Sequence, residues 1–279
     1  MPNTNNTSSV FQLLLTPEKA ALVAGGPTTL RVLVRVQAPD LPPGTVKRAP
    51  LHLALVLDRW GSMSGAPLEE AKRCARHIVD NLAPGDRAAI FAFDDDITCV
   101  APLTPAVQKL VLATALSSIG SGGRTNLHGG WRAGADELAR QLAGDGVHRV
   151  ILLSDGCANA GETDLETIAG ECKALEQRGV STSTYGLGTD FNEALMLAMA
   201  GAGRGNAYYG QTAADLAEPF AAEFALLTSL CARGLVLKVN APANVGVKLR
   251  NDYDPVEGEA LGGNFANDGR ARLRGPFGP

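Results

Sequence analysis

Asp58, Ser62 and Ser64 put one carboxylate and two hydroxyls into a short stretch of chain directly after the apolar run Leu51–Leu57. Hard oxygen donors grouped in this way suit Mg²⁺ or Mn²⁺. Asp155 follows the strand-like run Arg149–Ser154 as Asp58 follows its own. The competing structural reading is that Asp58 and Asp155 cap helices, a role such residues often play, and that the glycine turns only allow close packing.

The elements that must position these residues are legible as an alternation. From Leu51 to Leu230, short β-branched or leucine-rich runs alternate with longer helical patterns, which predicts an α/β fold built of βαβ units. Pro67 near the first helical position and Glu69 and Glu70 in the first turn open a helix at Ala66, with a stripe of Leu68, Ala71, Ala75, Ile78, Val79 and Leu82. Asn81–Gly85 stops it. Further helices are expected over Pro105–Leu116, Leu127–Leu142, Leu165–Gln177, Asn192–Ala200 and Ala213–Leu227, with strands over Val147–Leu153, Val180–Tyr185 and Ala207–Tyr209. The short connection Asp94–Asp96 between Ala88–Phe93 and Ile97–Val100 predicts a hairpin, hence one antiparallel strand at a sheet edge. Its three adjacent acids read as a solvated turn.

The loop after Asp58 resembles the Asp-x-Ser-x-Ser element of the metal-ion-dependent adhesion site in von Willebrand factor A domains. Asp58 matches the aspartate and Ser62 the second serine, while Trp60 stands where the family has its first serine. Thr125 and Asp155 match the remaining elements in the family's order, and the likeness runs from about Leu51 to about Leu230. The resemblance implies a doubly wound, mostly parallel sheet with one antiparallel edge strand. It also implies that the loops of Asp58, Thr125 and Asp155 meet at the crevice beyond the carboxyl ends of the strands. Mg²⁺ or Mn²⁺ would be held there by Asp58, Ser62, Thr125 and Asp155, and the last metal position would be left for an acidic side chain of a protein partner.

Trp60 removes one hydroxyl ligand, which weakens or abolishes metal binding. Turned outward, its ring instead becomes a partner-binding anchor beside the site, and a third reading makes it an introduced change that silences the site. The expected function is a non-enzymatic protein–protein interaction module. The alternative is an accessory subunit of an ATPase or chelatase-like enzyme assembly. Hydrolysis has little support, because no serine–histidine–aspartate arrangement is evident. The segment Gly61–Gly65 lacks the nucleotide-binding glycine patterns.

With 279 residues, 45% hydrophobic and 19% charged, the chain can bury a substantial core. A net charge of −4 without long blocks of either sign argues against nucleic acid and anionic membranes as partners. No apolar stretch approaches the roughly 20 residues of a membrane span, and residues 1–9 lack the basic start of a signal peptide. Five widely spread cysteines, Cys74, Cys99, Cys157, Cys172 and Cys231, are odd in number and lack Cys-x-x-Cys spacing, so a reducing cytoplasm is the expected setting.

Flanking the central unit (50–230), residues 1–49 carry strand-like runs at Val10–Leu15 and Thr29–Val36, and residues 231–279 carry them at Gly234–Val239 and Val245–Leu249. Because an isolated strand pair is marginal in water, the two flanks are expected to build one small β module. From Asn251 onward no strand or helix is evident; the tail is disordered or the natural chain continues past Pro279.

Overall fold

The computed structural model describes residues 11–23, 25–38, 48–123, 125–142, 146–154, 160–188, 191–229, 236–242, 244–248, 250 and 270–274. The chain divides into two units, Met1–Arg48 and Ala49–Pro279. In the first, the leucine- and valine-rich strands β1 (Gln12–Pro17) and β2 (Val32–Gln37) form an antiparallel ladder, from Gln12 opposite Gln37 to Pro17 opposite Val32.

The second unit begins with β3 (Leu51–Asp58), α1 (Ala66–Asn81), β4 (Arg87–Phe93), β5 (Ile97–Pro105), α2 (Lys109–Ser117) and α3 (Leu127–Ala139). It continues with β6 (Val147–Ser154), α4 (Leu165–Gln177), β7 (Val180–Leu187), α5 (Glu193–Ala202), β8 (Arg204–Gly210) and α6 (Ala217–Ser229). The six strands lie in the order β5-β4-β3-β6-β7-β8. All neighbours are parallel except β4 and β5, so the antiparallel strand sits at the edge, as the short Asp94–Asp96 connection requires.

The period-two alternation of β3 sorts its side chains between two cores. Leu51, Leu53, Leu55 and Leu57 pack with Leu68, Ala71, Ala75, Ile78 and Val79 of α1. Ala54 and Val56, on the opposite face, pack with Trp131, Ala135 and Leu138 of α3 and with Ile168 and Cys172 of α4. The small residues on that second face match glycines on α3. A Cβ on Gly134 would stand 2.6 Å from Val56 Cγ2 and 3.3 Å from Ala54 Cβ, so the helix can approach the sheet this closely only without one.

A second carboxylate lies buried near the far side of this sheet. Glu223 of α6, fully buried, takes the Arg149 guanidinium of β6, the Ser183 hydroxyl of β7 at 2.7 Å, and Asn206 Nδ2 and the Tyr208 hydroxyl of β8 at 2.7 and 3.1 Å. Burial alone would raise its pKa, but Arg149, Asn206 and Ser183 together hold it below the ordinary carboxylate value.

Two sequence expectations need correction. Residues 245–248 are not a strand: Val245 N–H closes a turn on Pro242 O at 2.9 Å. Conversely, the tail does contain a strand, β10 (Arg270–Arg274), which pairs antiparallel with β9 (Val236–Asn240), Arg270 opposite Asn240. An arginine-rich segment shows little apolar alternation, and a distant pairing partner supplies what the local pattern lacks. Each flank thus contributes a strand pair hydrogen-bonded within itself. No helix of the described residues is long and apolar enough to cross a membrane.

His52 of β3 and His148 of β6 occupy paired positions, with Nδ1 and Nε2 3.0 Å apart. Burial, His148 and Arg87 lower the His52 pKa from the ordinary 6.5, with Asp86 opposing them. The unfolded chain therefore takes up this proton first as pH falls. The contribution to stability is fully present above about pH 6.5 and is lost as pH drops through the folded-state value. The thermal unfolding midpoint is expected to fall between about pH 7 and about pH 5, and His52→Gln should flatten that slope. Superimposable pH profiles for the two proteins would refute the assignment.

Candidate metal centre

Asp58 closes the central strand with no exposed surface. Burying a carboxylate is costly unless donors replace water. Two do so here: Trp60 N–H donates to Oδ1 at 2.9 Å, and the Ser154 hydroxyl, 96 residues away at the end of β6, donates to Oδ2 at 2.5 Å. Charge-assisted bonds of this kind are short and strong. β3 and β6 are in register to Leu57 opposite Leu153, which brings Ser154 to the aspartate. Asp155, the next residue, lies outside the described residues.

The loop after Asp58 is anchored by one buried residue. Met63 N–H bonds Trp60 O at 2.8 Å and its side chain is fully buried, while Ser62 and Ser64 on either side are exposed. Trp60 itself is half-buried, and its main chain donates to Asp58 Oδ1.

Thr125 is fully buried in the loop that leads into α3. That loop is tied to the Asp58 loop through main-chain and carboxylate bonds. Gly122 N–H donates to Arg59 O at 2.7 Å, Gly123 N–H to Asp94 Oδ2 at 3.0 Å, and Asn126 N–H to Asp94 O at 2.9 Å. The Asn126 side chain then caps α3 by accepting from Gly129 N–H at 3.0 Å. Gly122 and Gly123 let the loop lie this close. A Cβ on Gly122 would collide with the Asp94 carboxylate, and one on Gly123 would stand 2.6 Å from Asp95 Oδ2.

Asp94 corrects the reading of the three acids as a solvated turn. Asp95 and Asp96 are exposed, but Asp94 is 6% exposed and accepts from Arg59 Nη2 at 3.0 Å and Asp96 N–H at 2.9 Å besides Gly123. Burial would raise its pKa; the Gly123 and Asp96 amides and the Arg59 guanidinium outweigh that and hold it below the ordinary aspartate value.

Of the five residues singled out from the sequence, Asp58 and Thr125 therefore lie in loops hydrogen-bonded to each other, Ser62 and Trp60 lie on the Asp58 loop, and Asp155 is outside the described residues. Among the described residues, no group of three or more His, Cys, Asp or Glu side chains could hold a metal ion. His128, in the first turn of α3, is engaged by Glu171 of α4 at 3.0 Å, with Arg132 on the same carboxylate at 2.8 Å.

The model of the von Willebrand factor type A domain matches residues 52–222. The chain belongs to this family. The Synechocystis protein sll0103 is 31% identical over 217 residues, covering 75% of this chain and 49% of that protein. Human inter-alpha-trypsin inhibitor heavy chain H4 is 26% identical over 158 residues, covering 53% of this chain and 17% of its own length. The chain thus spans about half or less of the length of these curated relatives. A solved von Willebrand factor type A protein from Catenulispora acidiphila superposes with a TM-score of 0.68 at 18% identity, over 98% of this chain and 64% of that one. That likeness extends to the flanking strand pairs and speaks for the fold alone.

Within this von Willebrand factor A domain, sequence reasoning missed Ser154 and Asp94. Ser154 directly precedes Asp155 and ends a buried strand, but only the β3–β6 register shows that its hydroxyl meets Asp58. Replacing Ser154 by Ala leaves the buried Asp58 oxygen short of a donor and is expected to cost about 1–3 kcal/mol of stability. Denaturant unfolding of the Ser154→Ala protein measures this; a loss under about 0.5 kcal/mol would mean that water replaces the hydroxyl.

Proposed function

We propose that this von Willebrand factor A domain is a non-enzymatic protein-interaction module. Its contact surface is the loop crown around Asp58, and Mg²⁺ or Mn²⁺ is held by Asp58, Ser62, Thr125 and Asp155. An acidic side chain of the partner protein completes the coordination, and Trp60 contacts the partner beside it. The observation that carries the reading is where the buried Asp58 carboxylate stands: at the carboxyl end of a central parallel strand, followed by a loop whose Arg59 carbonyl is hydrogen-bonded by Gly122 N–H of the loop that carries Thr125. The donor set is all oxygen, which suits a hard divalent ion. Trp60 offers no oxygen where the family has a serine, so the ion is held more weakly than by the full set.

An interaction role also accords with the engagement of His128 by Glu171, which leaves that histidine poorly placed as a general base. We place the protein in the cytoplasm, a reading supported by Cys74, Cys99 and Cys172 being free thiols, with the buried Cys74 and Cys172 pushed up to about 12 by burial.

Calorimetric titration of Mg²⁺ and Mn²⁺ into chelator-stripped protein tests the reading. Wild type is expected to bind, Trp60→Ser to bind about tenfold more tightly, and Asp58→Ala to show no heat. Failure of both wild type and Trp60→Ser to bind would remove the metal from the account.

A further inference from the structure

Arg59 and Asp94 lie beside the proposed metal ligands and belong to none of them. The Arg59 guanidinium, 24% exposed, directly follows Asp58 in the chain and would be an unbalanced cation next to a site for a divalent ion. Asp94, on the neighbouring strand, meets it at 3.0 Å and is itself 8% exposed at the side chain, so the pair is shielded more than a surface ion pair. The same carboxylate receives Gly123 N–H at 3.0 Å, and the Asp94 carbonyl receives Asn126 N–H at 2.9 Å, on either side of Thr125. Arg59 adds its main chain on both flanks: its N–H bonds Phe93 O at 3.0 Å and its carbonyl accepts Gly122 N–H at 2.7 Å.

We propose that the Arg59–Asp94 pair is a positioning bracket for the metal centre: it fixes the Thr125 loop against the Asp58 loop and cancels the Arg59 charge that would otherwise repel a divalent ion. The inference rests on the metal-binding reading above and assigns to Asp94 a role through its neighbours rather than as a ligand. Both functions are united in one carboxylate, because Oδ1 takes the Arg59 guanidinium while Oδ2 accepts Gly123 N–H of the Thr125 loop. Gly122 and Gly123 are the sequence's accommodation to it, since a side chain at either would occupy the space of the Asp94 or Asp95 carboxylate.

The test is Mn²⁺ calorimetry on chelator-stripped wild type, Asp94→Asn and the double variant Arg59→Gln/Asp94→Asn, with amide hydrogen exchange of Gly122, Gly123 and Asn126 measured on the metal-free proteins. Asp94→Asn is expected to weaken Mn²⁺ binding about tenfold, in the range of lost outer-sphere support for a metal site. The double variant exchanges the ion pair for a neutral amide pair, and its affinity should return to within about threefold of wild type, a coupling that loosened packing alone would not produce. Equal affinity of wild type and Asp94→Asn, or a double variant no better than Asp94→Asn, would overturn the proposal. If wild type itself binds no Mn²⁺, the metal reading fails by its own measure and the bracket is judged on exchange. Faster exchange of the loop amides in Asp94→Asn would sustain it, and unchanged exchange would overturn it.

Discussion

A buried carboxylate at the end of the central strand is the constraint around which this domain is arranged. Asp58 has no exposed surface, and leaving its oxygens without donors would cost several kcal/mol. The local chain supplies one donor, Trp60 N–H, through the turn that follows the strand. Another, Ser154, comes from a strand nearly a hundred residues on, and reaches Asp58 because β6 lies in register beside β3. β4 and β6 flank β3 on opposite sides, which makes the end of β3 the point where the order of strands reverses and a crevice opens.

Glu223 meets the same difficulty and is handled differently. It is as deeply buried as Asp58, but an arginine and groups from three strands surround it, so its charge is compensated and its oxygens are engaged. Such a carboxylate ties α6 to β6, β7 and β8 and leaves nothing for a ligand. Asp58 accepts the Trp60 amide and the Ser154 hydroxyl at the end of the central strand.

Close approach is the second requirement, and glycine meets it twice. On α3, Gly130 and Gly134 let the helix descend onto Phe93 and Val56, so the helix that carries the Thr125 loop at its amino end is seated directly on β3 and β4. Above it, Gly122 and Gly123 let the loop fold over the Asp94 and Asp95 carboxylates. Packing and site geometry are thus coupled: the same helix contact that completes the second core sets the height of the loop over the strand ends.

The amino-acid sequence alone determined the element order, the antiparallel edge strand and the position of Asp58, Ser62 and Thr125 in loops after or between strands. These follow from local patterns, namely apolar periodicity, capping residues and the length of one connection. Even Leu165–Gln177 is bounded as the pattern demands, with Asp164 capping it. What depended on distant partners was not legible. Asp94 has the same local surroundings as Asp95 and Asp96 and is set apart by its distant contacts with Arg59 and Gly123; Arg270–Arg274 becomes a strand only against Val236–Asn240; and Ser154 looks like an ordinary strand end until β6 is laid beside β3. A hydrogen bond between residues far apart in the chain leaves no periodic trace, so the tertiary structure alone decides which polar residues are buried and what satisfies them.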